Sequence, residues 1–156
     1  MLLNRVNHVA ILTNDTERLL GFYRDVFEAE FDGQAVEQEG FRLTFLGIGE
    51  AAELNIFQID GNTEADRQTP MFERGRIDHL GLQAASIDAF DEIRRRLIER
   101  GAADEFVTDF GPLLSVFFRD PDGLEGEVCV PNPDAVPGVT NPPGTPAARY
   151  ASASPA

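Results

Sequence analysis

The pattern of apolar and polar positions along the chain runs through one series of elements and then repeats it. Val6 to Leu12 is short, apolar and β-branched, which predicts a strand. Thr16 to Phe27 then sets Leu19, Leu20, Phe22, Tyr23, Val26 and Phe27 at helical spacing, with Asn14 and Glu17 as the capping box that would start the helix. Three strand-like runs follow, around Glu30 to Val36, Phe41 to Gly47 and Ala52 to Ile59, separated by glycine-rich or acidic breaks. Gly61 to Gly75 is polar and aperiodic, as a connecting loop is.

The order then starts again. Ile77 to Gln83 reads as a strand, Ser86 as an N-cap, and Ile87 to Gly101 as an amphipathic helix with Phe90, Ile93, Leu97 and Ile98 on its apolar stripe. Arg94, Arg95, Arg96 and Arg100 form its solvated face. Further strands are predicted near Glu105 to Thr108, Leu113 to Phe118 and Gly126 to Val130, with Asp120-Pro121-Asp122-Gly123 as the turn between the last two. Strand, helix and three strands, twice over, predict an α+β chain of two tandem βαβββ modules. The modules span 1–65 and 77–131, with 66–76 as linker. From 132 to 156 Pro, Gly, Ala, Ser and Thr replace the hydrophobic periodicity, which predicts a mobile tail, with room for its first residues to lie along the surface; Tyr150 is a candidate anchor but reads more simply as solvated.

Composition narrows the function. A net charge of -14, with all 13 basic residues arginine, argues against nucleic acid and against an anionic membrane surface as partners. No apolar stretch approaches the roughly 20 residues that span a bilayer. The N-terminal residues lack a signal-peptide hydrophobic region, and the lone Cys129 cannot form an intrachain disulfide. A reducing cytoplasmic compartment is the expectation.

The chain has 2 histidines, and they occupy matching places. His8 lies in Val-Asn-His-Val-Ala-Ile and His79 in Ile-Asp-His-Leu-Gly-Leu, each in the first strand of its module after a short polar residue. A pseudo-twofold axis between duplicated modules would bring them face to face, as ligands of one divalent ion. Two neutral imidazoles still need carboxylates to complete the shell and offset the charge. The last strand of each module offers one: Glu53, 45 residues after His8 (53 − 8), and Glu127, 48 residues after His79 (127 − 79). Glu125 shares the face of Glu127 and is its rival if the register slips. Residues two along from a ligand share its face, which makes Ala10, Asn55, Phe57, Gly81 and Cys129 candidate cavity lining. Cys129 has no neighbouring base to activate it and reads as a buried, inert thiol.

Over residues 1 to 131 the chain resembles the vicinal oxygen chelate superfamily, which includes glyoxalase I, extradiol dioxygenases, and the fosfomycin and bleomycin resistance proteins. The resemblance rests on His8, on Phe22-Tyr23-Arg24-Asp25-Val26-Phe27, on His79, and on Asp120-Pro121-Asp122-Gly123 followed by Glu127. It implies modules whose mixed sheets curl around a metal-centred cavity, and a homodimer. It also implies one divalent ion (Zn, Ni, Co, Mn or Fe) held by His8, Glu53, His79 and Glu127. The glyoxalase-like version of that chemistry is a lyase or isomerase acting on a small substrate with vicinal oxygens. There the metal polarises a carbonyl while Glu127 or Glu53 moves a proton.

Other readings share the fold. An Fe(II) extradiol-type dioxygenase would use His8, His79 and Glu127, but would lack the further histidine such chemistry draws on. A fosfomycin-type transferase would need Arg67, Arg74, Arg76 or Arg119 for a phosphonate, whereas Arg119 beside the turn reads more simply as solvated. A non-catalytic bleomycin-resistance-type protein would hold a cationic small molecule in an acidic, Phe-lined groove and would not need the four ligand residues.

Overall fold

The computed structural model describes residues 2, 5–67, 69, 72, 73 and 77–151. Arg74 and Arg76 and the last five residues of the expected tail lie outside the described residues. The elements follow the order β1 (His8–Thr13), α1 (Thr16–Phe27), β2 (Ala35–Gln38), β3 (Phe41–Ile48), β4 (Ala52–Ile59), β5 (Leu80–Gln83), α2 (Ile87–Glu99), β6 (Thr108–Asp109), β7 (Leu113–Arg119) and β8 (Glu125–Pro131). They form two open four-stranded sheets, in orders β1-β4-β3-β2 and β5-β8-β7-β6. Each sheet is mixed: the first strand of the module runs parallel to the last, and the other pairs are antiparallel. The fold is α+β with two tandem βαβββ modules.

The chain divides into two compact units, Met1–Thr69 with Asp120–Gly123, and Pro70–Arg119 with Leu124–Ala156. In the first, α1 buries Leu19, Leu20, Phe22, Tyr23 and Val26 together with Leu46, Leu54 and Ile56 of the sheet. Its start differs from the expected Asn14–Glu17 box. Asp15 is the cap and accepts from the Arg18 N–H at 3.0 Å, while the Asn14 amide donates to Asp66 at 2.6 Å. Thr13 decides the matter, because its hydroxyl accepts the Asp15 N–H and turns the chain into the helix one residue later. The Asp120–Gly123 turn completes this unit. Asp122 accepts from Thr13 Oγ1 at 2.7 Å and pairs with Arg18, and Asp120 accepts from the buried Tyr23 hydroxyl at 3.3 Å. Burial, with Asp120 beside it, pushes the Tyr23 hydroxyl well above the ordinary phenol range.

In the second unit, Ser86 caps α2 by accepting from the Ala89 N–H, and Phe90 and Leu97 are fully buried. Phe118 on β7 lies directly opposite Gly126 on β8, and a Cβ there would come within 2.2 Å of the Phe118 ring. Glycine is therefore demanded by close approach, not by turn geometry.

The segment expected as a mobile tail is instead laid along this unit as far as Ala151. Asn132 bonds the Gly111 carbonyl and the Asp109 carboxylate, Asp109 N–H donates to Thr145, Ala147 N–H donates to Val107, and Pro146 bridges Thr108. The Tyr150 hydroxyl donates to Asp91 at 2.5 Å, with the Arg94 guanidinium 5.2 Å from its ring centre. The tail thus caps the free edge of β6. Its partners are mostly backbone groups, which a search for hydrophobic periodicity does not detect.

Candidate metal centre

The half-site in the second unit is built from neighbouring strands. His79 stands immediately ahead of β5, and Gly81 pairs in register with Glu127 on β8. His79 Nδ1 lies 2.8 Å from Asp78 Oδ2, and a carboxylate can only accept, so Nδ1 carries the hydrogen. The Phe72 N–H donates to the other Asp78 oxygen and holds that carboxylate in place. The other ring nitrogen, Nε2, faces Glu127 Oε2, 3.4 Å away. Ligand atoms about 2.0–2.2 Å from one tetrahedral ion lie roughly 3.4 Å apart, so the pair fits a divalent metal.

The carboxylate is braced from behind. Ser115 Oγ donates to Glu127 Oε1 at 2.5 Å, which leaves Oε2 to face the imidazole. Ser115 is fully buried on β7, opposite Cys129. Burial, and then the Glu127 charge, push the Cys129 thiol up to about 11, so it stays protonated at neutral pH. Phe117 packs against the imidazole in a T-shaped contact with centroids 5.9 Å apart. Gly81 leaves open space beside Oε2; a Cβ there would stand 3.9 Å from it. Glu125 faces a different partner: it is buried, and Arg119 donates to it at 2.9 and 2.7 Å. Arg119 is thus engaged in an ion pair, as Arg67 is with Glu64.

The first unit carries the matching elements. His8 opens β1, is exposed, and has Nδ1 2.8 Å from Asn7 Oδ1, the same device with an amide in place of the carboxylate. His8 pairs in register with Glu53, Ala10 with Asn55, and Leu12 with Phe57. Glu53 is exposed and contributes to an open depression of about 410 Å³ lined by Glu30, Asp32, Gln34, Phe45 and Gly47. Asn55 and Phe57 are half-buried, and Asn55 Oδ1 is buried with no hydrogen-bond partner. An unpaired buried acceptor of this kind costs about 1–3 kcal/mol. The structure brings the His79 and Glu127 side chains together in the second unit, and in the first pairs His8 with Glu53 by strand register. Among the described residues no cluster of three or more His, Cys, Asp or Glu side chains is placed to hold a metal ion. Ser115, Asp78 and Phe117 were missed in the sequence. Register could have found Ser115 and Phe117, since both lie opposite named residues of β8.

A sequence model of the Glyoxalase/Bleomycin resistance protein/Dioxygenase superfamily matches residues 5–128. The chain belongs to this superfamily. Among solved structures it is similar to a glyoxylase/bleomycin resistance protein/dioxygenase domain from Frankia sp. EAN1pec, at 20% identity and TM-score 0.68, over 85% of this chain and 95% of that one. It is also similar to a mutant of the fosfomycin resistance protein FosX from Listeria monocytogenes, complexed with Mn(II) and 1S,2S-dihydroxypropylphosphonic acid. Identity there is 17% and the TM-score 0.62, over 81% and 92% of the two chains. The trypanothione-dependent glyoxalase I of Leishmania major matches at 18% identity and TM-score 0.60, over 81% and 86%. At these identities the likeness is one of fold. Among curated proteins, none matches the sequence significantly. Among the described residues no helix is long and apolar enough to cross a membrane.

Proposed function

We propose that the chain is a glyoxalase-like lyase or isomerase that uses one divalent metal ion and acts on a small substrate with vicinal oxygens. The observation that carries this reading is the 3.4 Å approach of His79 Nε2 to Glu127 Oε2, the spacing of two ligand atoms on one tetrahedral ion. Superfamily membership supports it, since metal-dependent members share the fold. Glu127 and His79 would hold the ion in the second module; His8 and Glu53 are the candidate ligands of the first. When bound, the ion supplies polarisation of a carbonyl and stabilisation of charge on the adjacent oxygens. Asp78 fixes the tautomer of His79, Ser115 orients Glu127, and Phe117 screens the imidazole from water. Glu53, exposed on the open sheet face, would move the proton between neighbouring carbons. A second copy of the chain is the proposed partner, in a reducing cytoplasmic compartment that the half-buried free Cys129 suits.

One observation favours a second reading, a sequestering protein for a cationic small molecule: Glu30, Asp32 and Glu53 share the depression of the first unit. Elemental analysis of untagged wild type and His79→Ala separates the two. About one divalent ion per chain, absent from the variant, is the expected result. No ion in wild type after reconstitution with several metals would overturn the enzyme reading.

A further inference from the structure

We infer that the second module carries a slot for a neutral aromatic ring, walled by Phe106 and Phe117, beside the His79–Glu127 pair. Assigning that ring to the substrate rests on the reading above; the slot itself does not. The segment between α2 and β6 is pinned at several points. The Arg119 N–H donates to the Ala102 carbonyl at 2.8 Å, and the Phe106 N–H donates to Asp104 at 2.9 Å. Arg94 donates to the Glu105 carbonyl, and the Ala147 N–H donates to the Val107 carbonyl at 2.9 Å. Val107 is buried, yet Phe106 beside it is 44% exposed on this fixed backbone. An aromatic side chain held in the open in this way offers surface to a ligand. Phe106 borders a depression of about 490 Å³ whose lining includes Gly101, Ala102, Ala103 and Phe117, all in the same unit. The small residues leave the volume open, and the aromatic ones supply ring faces and edges for stacking.

Phe117 joins this depression to the candidate centre. Its ring meets the His79 imidazole at 82° with centroids 5.9 Å apart, and it lies opposite Glu127 in the β7·β8 ladder. A group seated against Phe117 in the depression is therefore one ring away from the imidazole. Charge decides what kind of group it is. Among the described lining residues the one cation, Arg119, is already bound to the buried Glu125, and Asp104 adds a negative charge. An anionic arm meets no free cation there, whereas a neutral ring leaves the ion pair intact. The substrate class narrows to vicinal oxygens attached to an uncharged aromatic group.

The test has two arms, each on the full-length protein, with melting to check that every variant is folded. In the first, amide NMR follows the metal-free protein titrated with benzyl alcohol, and with propan-1-ol as control. Benzyl alcohol should shift the Ala102, Phe106 and Phe117 signals and propan-1-ol should not. Phe106→Ala should weaken benzyl alcohol roughly 3–10-fold, the scale of one aromatic contact, and Phe106→Trp should restore it. Shifts confined to Ala147 and Tyr150, which border Phe106 on the strap side, would overturn the slot, as would unchanged affinity in Phe106→Ala. In the second arm the Zn²⁺-loaded protein is titrated calorimetrically with benzohydroxamate and acetohydroxamate, which chelate through the same two oxygens and differ in the ring. A preference of about 10-fold for benzohydroxamate, lost in Phe106→Ala, is expected. Equal affinities, with the ring still bound in the first arm, would overturn its assignment to the substrate and leave the metal reading standing. If wild type takes up no Zn²⁺, the metal reading falls and the first arm alone decides the slot.

Discussion

The two modules share a plan and differ in how far each finishes its own work. The second braces its candidate site: Ser115 holds Glu127, Asp78 holds His79, and the C-terminal strap covers the β6 edge. The first shares only the bond to its histidine, from Asn7 to His8. At the position of Ser115, opposite the strand that carries the ligand, it has Leu43, and its open face carries Leu12, Val36 and Ile59 to solvent. Duplication gave each half the same backbone ladder, and the side chains then divided the labour. One half carries a hydrogen-bonded histidine–carboxylate pair, and the other leaves its carboxylate exposed.

The largest expected effect tests how the two cores reached the same packing. Leu46 opposite Leu54 in the first module corresponds to Phe118 opposite Gly126 in the second, two medium residues against one large and one absent. Gly126→Ala should cost about 1–3 kcal/mol or more, measured by urea denaturation, because the ring behind it is backed by a packed core. Adding Phe118→Leu should recover most of that loss. If the double variant is no more stable than the single one, the two pairs are not alternative solutions of one packing problem.

Ser115→Ala comes next. Metal affinity should fall ~10–100-fold with melting temperature little changed, whereas Leu43→Ala, its counterpart, should change stability and leave metal binding alone. A Ser115→Ala variant that binds metal like wild type would mean that Glu127 needs no bracing. The helix caps should be nearly matched. Asp15→Ala and Ser86→Ala should each cost about 1 kcal/mol, and a markedly larger loss at Asp15 would point to the Thr13 and Asp122 bonds around it.

The smallest effect lies in the strap. Tyr150→Phe should lose about 1 kcal/mol at neutral pH. Burial, then the hydrogen bond to Asp91, lift the Tyr150 hydroxyl from 10.0 to about 12. The folded form thus keeps its proton where the unfolded chain releases it. The strap's contribution should be complete below pH 10 and fade as pH rises toward 12. Ultraviolet titration should show no tyrosinate near pH 10; early ionisation would mean the strap is not docked.

Much of the architecture was legible because the first strand and helix of each module carry strong periodicity and a histidine at the same distance from the helix start. β4 and β8 were legible as strands, and their faces followed from alternation. Register was not legible. The β1·β4 pair Ala10–Asn55 is 45 residues apart and the β5·β8 pair Gly81–Glu127 is 46, so the second module holds one more residue in its connection, which residue spacing alone does not reveal. The path of the tail was not legible, since it docks largely through main-chain groups that leave no mark on composition.

The Asp120–Gly123 turn has a consequence for how the protein is made. Thr13, Arg18 and Tyr23, all near the N-terminus, wait for partners about a hundred residues later in the chain. On the ribosome the N-terminal unit would emerge early, yet its last hydrogen bonds could close only after most of the other unit had been synthesised. The two halves would therefore reach the native state in a single late event, and a nascent chain arrested before residue 120 should remain open to proteases.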